Sequence, residues 1–298
     1  MPTSELGVRA RDCISRGENL INKCARPTAE NSAIIGASVM TIDLQRAVEE
    51  FWAARARGEY FPAGYFDRLS VDEAYRIQLA LIDRRCTQGE RQIGWKVGLT
   101  SKPIQEQFGF HEPCFGCIFE TRPSGDLFAA GQLIRPGFET ELCVRLGRPL
   151  TGEVSLEEVA AVVHPSFEIT ETRGDPAQIA LMLADNAQQR SVILGEPVAL
   201  TSAPRLDQVK AHVELNGSIV ATGIGAAVLD HPLNSVAWLA RKLPEYGRSL
   251  RAGQVVMTGS LVRQFPLAPG DHARASFSGI GTVEVLLARD AQGNMTHE

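Results

Sequence analysis

Phe138-Glu-Thr-Glu-Leu142 and Pro165-Ser-Phe-Glu-Ile169 decide how this chain is read, because both carry acidic residues inside strand-like, largely apolar segments. Residues two apart on a strand point to the same side, so Glu139 and Glu141 share a face. Glu168 lies between Phe167 and Ile169, in a segment whose other face is apolar. If the two strands are neighbours, three carboxylates converge. Such a cluster repels itself and drives protons on. A hard divalent cation, Mg²⁺ or Mn²⁺, relieves that repulsion through carboxylate oxygens and keeps positions open for water or substrate. The competing reading is the wet face of an amphipathic strand. Glu139, Glu141, Cys143 and Arg145 would then face outward, with Phe138, Thr140, Leu142, Val144 and Leu146 inward. Alternation alone favours this second reading; the motifs below shift the weight to the first.

The 298 residues can bury a full core in one or two domains. A hydrophobic content of 44% and a charged content of 22% are ordinary for a globular protein. The net charge of −5 offers no general attraction for nucleic acid or anionic membrane. It does not exclude a small anionic substrate, which needs only a local cation. Cys13, Cys24, Cys86, Cys114, Cys117 and Cys143 are scattered, which argues against a disulfide framework and for reduced thiols in a cytoplasmic protein. The longest apolar run, near Ala33–Met40, is far too short to span a bilayer. Residues 1–39 mix basic and acidic side chains and lack the form of a secretory signal. They are expected to be a disordered leader, or a mis-assigned start with the natural protein beginning at Met40. Residues 40–290 are expected to form one catalytic domain, helical over 40–90 and β-rich over 91–290, with 291–298 as a tail.

Along the chain, 41–60 reads as a helix with Leu44, Val48, Phe51 and Trp52 at helical spacing. Ser70-Val-Asp-Glu73 is a capping box opening a helix toward Arg85. Residues 92–99 read as a strand and 101–108 as a short helix. Residues 121–137 read as loop with a short strand. Ser155-Leu-Glu-Glu158 is a second capping box, predicting a helix to Val163. Residues 175–190 are read as partly helical. Asn216-Gly217 marks a hairpin within 213–220. Residues 231–246 read as a helix with Pro232 in its first turn. Residues 255–259 read as a buried strand, and 273–277 with 282–287 as a closing pair. The class is α+β, rich in antiparallel strands.

Several segments in order resemble one family. They are Gly94-Trp-Lys-Val-Gly-Leu-Thr-Ser101, the Glu-Thr-Glu strand, Pro165-Ser-Phe-Glu-Ile-Thr-Glu-Thr-Arg173 and Ala184-Asp-Asn-Ala187. Gly225-Ala-Ala227, His231-Pro-Leu-Asn234, Thr258-Gly-Ser260 and Pro269-Gly-Asp271 follow. Together they resemble the hydratase/decarboxylase branch of the fumarylacetoacetate hydrolase superfamily, over about residues 42–287. The resemblance implies a mixed β-roll body and a homo-oligomer, with an alternative complex with a related hydratase or decarboxylase. It implies Mg²⁺ or Mn²⁺ on Glu139, Glu141 and Glu168, with Lys96 as the active-site lysine. Thr258 and Ser260 match a segment that helps hold a substrate carboxylate, and Thr100 closes the Lys-x-Gly-Leu-Thr segment as a further candidate for substrate binding. The implied function is a lyase acting on a small 2-oxo or 2-hydroxydienoic acid in aromatic-compound catabolism. Hydration of 2-hydroxypenta-2,4-dienoate leads. The alternatives are decarboxylation of the 4-oxalocrotonate type, hydrolysis of an acylpyruvate and a non-catalytic partner subunit.

One departure shifts that balance. The hydratase pattern has aspartate in a Pro-Asp-aromatic-Gly segment, whereas this chain has Pro113-Cys-Phe-Gly116. Cys114, a thiol that is mostly protonated near neutrality, is a poor replacement for a carboxylate base. Glu171, Glu112 and His111 are the candidates to supply the missing acid/base group. Cys114 and Cys117 also form a Cys-x-x-Cys pair, read as accidental because no second pair accompanies it. Trp95 is read as packing, His231 as a helix cap, and His164 as structural or as a partner to the glutamate strand.

Overall fold

The computed structural model describes residues 42–289 apart from 108, 157, 158 and 160. The expected leader at 1–39 and tail at 291–298 lie outside them. Five α-helices appear among the described residues: α1 Leu44–Ala56, α2 Val71–Thr87, α3 Lys102–Gln107, α4 Ile179–Ala184 and α5 Leu233–Lys242. The strands are β1 Gly94–Gly98, β2 Cys114–Ile118, β3 Thr121–Pro123, β4 Asp126–Phe128, β5 Pro136–Arg145, β6 Val162–Glu171 and β7 Gln189–Leu194. They continue with β8 Val198–Ala199, β9 Lys210–Leu215, β10 Ser218–Ile224, β11 Val255–Ser260, β12 Phe265–Pro266, β13 His272–Phe277 and β14 Gly281–Leu287.

The helices start where their caps predict. Asp43 accepts the Arg46 amide at 3.1 Å and opens α1, which buries Ala47, Val48, Phe51 and Ala54 on one side. Ser70 and Glu73 satisfy each other's backbone amides at 3.2 and 2.9 Å, so the predicted capping box opens α2. α2 buries Tyr75, which stacks on Phe115 of β2 with ring centroids 4.1 Å apart. Gln78, one turn along, donates to the backbone oxygens of Phe115 and Leu183. The N-terminal helices are thereby fastened to the strand that carries Cys114.

The larger sheet runs β2-β1-β11-β5-β6-β7-β3, with β12 added to β5 and β8 to β6. The smaller runs β10-β9-β13-β14-β4. Most pairs are antiparallel; β1–β11, β3–β7 and β4–β14 are parallel. Ile118 of β2 and Val192 of β7 stand far apart along the larger sheet's path, yet they share one small apolar cluster with Cys143, Val255 and Met257. The sheet therefore curls into a roll, with that cluster inside. The opposite face of β5 and β6 sends Phe138, Leu142, Val144, Phe167 and Ile169 into the main core. Asn216 and Gly217, with φ of 53° and 79°, make the tight turn between β9 and β10 that their sequence predicts.

Two expectations are corrected. The helix predicted from the second capping box does not reach Val163, because Val162 and Val163 already belong to β6 and pair with Arg145 and Val144. Branched valines between two neighbouring strands follow the sheet rather than a local helix signal. The wet-face reading of β5 also fails. Glu141 and Cys143 are buried and Arg145 is half-buried, because the curled sheet encloses the face on which they stand.

Candidate metal centre and substrate pocket

β5 and β6 are antiparallel neighbours, and Glu139 stands directly across from Glu168. Glu141 is two residues further along the same face. Ligand oxygens of Glu139, Glu141 and Glu168 lie within 4.8 Å of one another. Glu141 and Glu168 are 1% and 0% exposed, so neither charge is screened by water. Lys96 enters from β1, 4% exposed, with Nζ 3.3 Å from Glu168 Oε1.

Burial raises the proton affinity of all three carboxylates, most of all Glu141, whose acidic neighbours add to it. Glu168 is pushed up to about 7, burial and Glu139 outweighing the pull of Lys96. Burial alone would lower the proton affinity of Lys96, but Glu168 first, then Cys114 and the other glutamates, raise it above the usual lysine range. In the metal-free protein Lys96 is therefore held as a positive charge beside the glutamates.

A divalent cation fits these residues. When fully ionised, three carboxylates and one ammonium leave two net negative charges. Glu141 Oε1 and Glu168 Oε2 are buried without a hydrogen-bond partner, which is costly unless something else takes them. Oxygen donors alone suit a hard cation.

The pocket above the cluster encloses about 370 Å³. Lys96, Cys114 and Glu139 line it together with Thr100 and Ser260, while Leu99, Ile104, Met182 and Val262 add apolar surface. Of the candidate site residues, Lys96, Cys114, Thr100, Ser260 and the three glutamates are thus brought together. Thr258 is not: its buried hydroxyl donates to the Leu142 oxygen at 2.8 Å and does not line the pocket. Glu171 is also elsewhere. It accepts from Arg173 at 2.8 Å and from the Ile134 amide at 3.0 Å, and it borders a different, arginine-rich cavity. Three residues beyond Glu168 on a strand, it points to the other side. Glu112 pairs with Lys242, and exposed His111 does not line the pocket.

Cys114 is buried beside Lys96, and burial pushes its thiol up to about 11 despite the nearby ammonium. Cys117 lies three residues along the same strand, so the two sulfurs point to opposite sides, as expected if the Cys-x-x-Cys spacing is accidental. His231 accepts the Leu233 amide at 3.1 Å as a cap. His164 bonds to the Gly195 oxygen rather than to a carboxylate, and Trp95 is buried against Phe115.

Two supports of the site emerge from the structure, the first at Gly259, where the sequence marks a turn or close backbone approach. The Gly259 amide donates to Glu141 Oε2 at 2.8 Å. At φ +115° a Cβ there would come within 2.5 Å of Thr100, so glycine lets the turn, the carboxylate and the pocket wall meet. Asn186, Ala187 and Gln188 all have positive φ, an unusual run for residues other than glycine. The Asn186 side chain accepts the Cys117 amide at 2.7 Å and donates to its oxygen at 2.9 Å, replacing a neighbouring strand along β2. Asp185, paired with buried Arg173, anchors the start of this turn, and Ala187 and Gln188 form part of the pocket wall. The Ala-Asp-Asn-Ala motif marked the place; asparagine's tolerance of left-handed backbone was the available signal.

Residues 121–287 match the family described as Fumarylacetoacetate (FAA) hydrolase C-terminal. The chain is 36% identical over 230 residues to a 2-hydroxyhexa-2,4-dienoate hydratase of Comamonas testosteroni, spanning 73% of this chain and 86% of that protein. It is 36% identical over 226 residues to a 2-keto-4-pentenoate hydratase of Paraburkholderia xenovorans, spanning 73% and 84%. Among solved structures, 4-oxalocrotonate decarboxylase from Pseudomonas putida G7, complexed with magnesium and adipate, superimposes with a TM-score of 0.76 at 30% identity. That match covers 82% of this chain and 97% of the other. With its curled sheet, its carboxylate trio and these relatives, the chain belongs to the fumarylacetoacetate hydrolase family.

Proposed function

We propose that the protein is a divalent-metal-dependent lyase that hydrates a small 2-hydroxydienoic acid, of which 2-hydroxypenta-2,4-dienoate is the leading candidate, in aromatic-compound catabolism. The observation that carries this reading is the converging trio Glu139, Glu141 and Glu168 with Lys96 at the base of a pocket sized for a small acid. The hydratase relatives support it. Magnesium or manganese, held by the three glutamates, would supply Lewis acidity toward the paired oxygens of a 2-oxo acid.

The remaining chemistry belongs to the chain. Lys96, when protonated, offers a positive charge where negative charge develops on the substrate oxygen. The Thr100 and Ser260 hydroxyls line the pocket as donors for the substrate carboxylate. Leu99, Ile104, Met182 and Val262 shield the hydrocarbon part from bulk water. During hydration the dienol gains a proton at its far carbon, and water then adds to the conjugated ketone. Cys114 retains its proton at neutral pH, so it can donate a weak hydrogen bond but cannot serve as a general base.

That last property favours a second reading, decarboxylation of a 2-oxo-enedioic acid, which needs no base to activate water. The decarboxylase among the structural relatives supports it. The proposal extends to a cytoplasmic homo-oligomer. Free thiols at Cys86, Cys114, Cys117 and Cys143 suit a reducing compartment. Exposed Ile219, Val220 and Ile224 on edge strand β10 suit a contact with a second copy.

The test is ultraviolet absorbance of 2-hydroxypenta-2,4-dienoate with the protein and Mg²⁺ or Mn²⁺. Its loss should stop when a chelator is added. Release of carbon dioxide from 4-oxalocrotonate separates the two readings. Consumption of neither compound with either metal would overturn both.

A further inference from the structure

A second cavity lies away from the carboxylates and encloses about 620 Å³. It opens where β1 and β11 begin and β5 ends, around Gly94, Val255 and Arg145. Glu139 stands six residues earlier on β5, which at about 3.4 Å per residue separates the two places by about 20 Å.

Four arginines border this cavity: Arg91, Arg145, Arg248 and Arg251. Two acids stand among them, and both are engaged. Asp83 pairs with Arg248, and Glu90 is taken by Arg85 at 2.6 Å. Among the described residues Arg91, Arg145 and Arg251 have no acidic partner within ion-pair distance; Arg145 donates only to the Gly253 oxygen at 3.2 Å. This surplus of positive charge stands in a chain whose net charge is −5. Guanidinium groups around one concavity repel each other unless an anion joins them. Their planar forks match phosphate and carboxylate oxygens. The volume is that of a small-molecule site.

We infer that this cavity is a second binding site, for a small polyanion whose phosphate or clustered carboxylate groups bridge Arg91, Arg145 and Arg251. The site is independent of the reaction run at the glutamates. It lies at the far end of the strands that carry Lys96 and the Gly259 turn.

Isothermal titration of the full-length chain tests this, with chelator present so that no metal at the glutamates recruits the anion. Pyrophosphate and citrate are the two probes, at matched ionic strength. Saturable binding of pyrophosphate alone identifies a phosphate ligand, and tighter binding of citrate identifies a polycarboxylate. Because Arg91 and Arg251 are exposed, Arg91→Ala and Arg251→Ala leave the fold intact, as thermal unfolding of each variant will verify. Each should weaken binding about tenfold. Glu139→Gln should leave it unchanged. An absence of saturable heat from either probe at about 1 mM, or binding indifferent to both arginine substitutions, would overturn the inference.

Discussion

Gly259 donates its backbone amide to Glu141 Oε2 at 2.8 Å, which leaves Glu141 Oε1 buried and without a hydrogen-bond partner. One oxygen is fixed and the other is presented. The bulge between β11 and β5, where their register shifts between Met257 and Ser260, brings that amide to the carboxylate.

Gly259→Ala should therefore weaken metal binding without unfolding the chain. The new methyl meets Thr100, and the left-handed backbone becomes strained. Loss of a support of this kind lowers metal affinity by about 10–100-fold. Calorimetric titration with Mg²⁺, alongside thermal unfolding, measures both effects. An unchanged affinity would show that Glu141 does not depend on the turn.

Metal affinity should fall as pH drops through about 7. In the metal-free protein, burial and Glu139 lift Glu168 to about 7, so below that pH a proton occupies the group the metal needs. Above it the Glu168 carboxylate is free, while Glu141, whose proton affinity is raised further by burial and its acidic neighbours, keeps the affinity rising. The expected slope below pH 7 is about tenfold per pH unit for each displaced proton. Titrations in buffers of different ionisation enthalpy report the released proton directly. A flat profile between pH 6 and about 8 would contradict the buried-cluster account.

Cys114→Asp should raise dienoate hydration at neutral pH. The thiol is held protonated by burial, whereas an aspartate beside Lys96 would ionise and could accept a proton. General-base assistance contributes about 10²–10⁴-fold in rate, and a gain near the lower end is expected from a retrofitted group. A variant that binds metal and gains no rate would mean that the base acts from another position.

Glu171→Gln should lower stability and spare turnover. The carboxylate is 5% exposed and tied to Arg173 and to the Ile134 amide, outside the pocket. Weakening that charge-assisted pair should cost about 1–3 kcal/mol in urea unfolding, with kcat/KM close to the parent's. A steep loss of kcat at unchanged stability would return Glu171 to the catalytic group.

Asn186→Ala removes the side chain that satisfies both backbone groups of Cys117. The neighbouring residues keep their left-handed backbone with less to hold it. A stability loss of about 1–3 kcal/mol is expected, with a higher KM because Ala187 and Gln188 form part of the pocket wall. Unchanged KM and stability together would refute the role of this clamp.

Much of the site was legible in the primary structure because its parts are local. The spacing of Glu139 and Glu141 places them on one face, and the Lys96 and Thr100 segment is short and contiguous. Caps such as Ser70 with Glu73 are also local, and so is the Asn216-Gly217 turn. What failed depended on partners distant in the chain. Val162 and Val163 follow β5 instead of the capping signal before them. Thr258 turns its hydroxyl toward Leu142, and Glu171 faces Arg173, because strand register sets the side to which each points.

The order of residues by itself determined which side chains could bind a hard cation and where local signals such as the Ser70–Glu73 cap and the Asn216-Gly217 turn would act, since backbone preference and side-chain period operate over a few positions. Only the tertiary structure decided that Glu141 and Glu168 are sealed from water beside Lys96 while Glu139 faces the pocket, that Gly259 and Asn186 hold the walls, and that arginines without an acidic partner among the described residues gather at the other end. Charge becomes costly, and therefore chemically useful, when long-range packing removes solvent and brings groups from separate strands within a few ångströms.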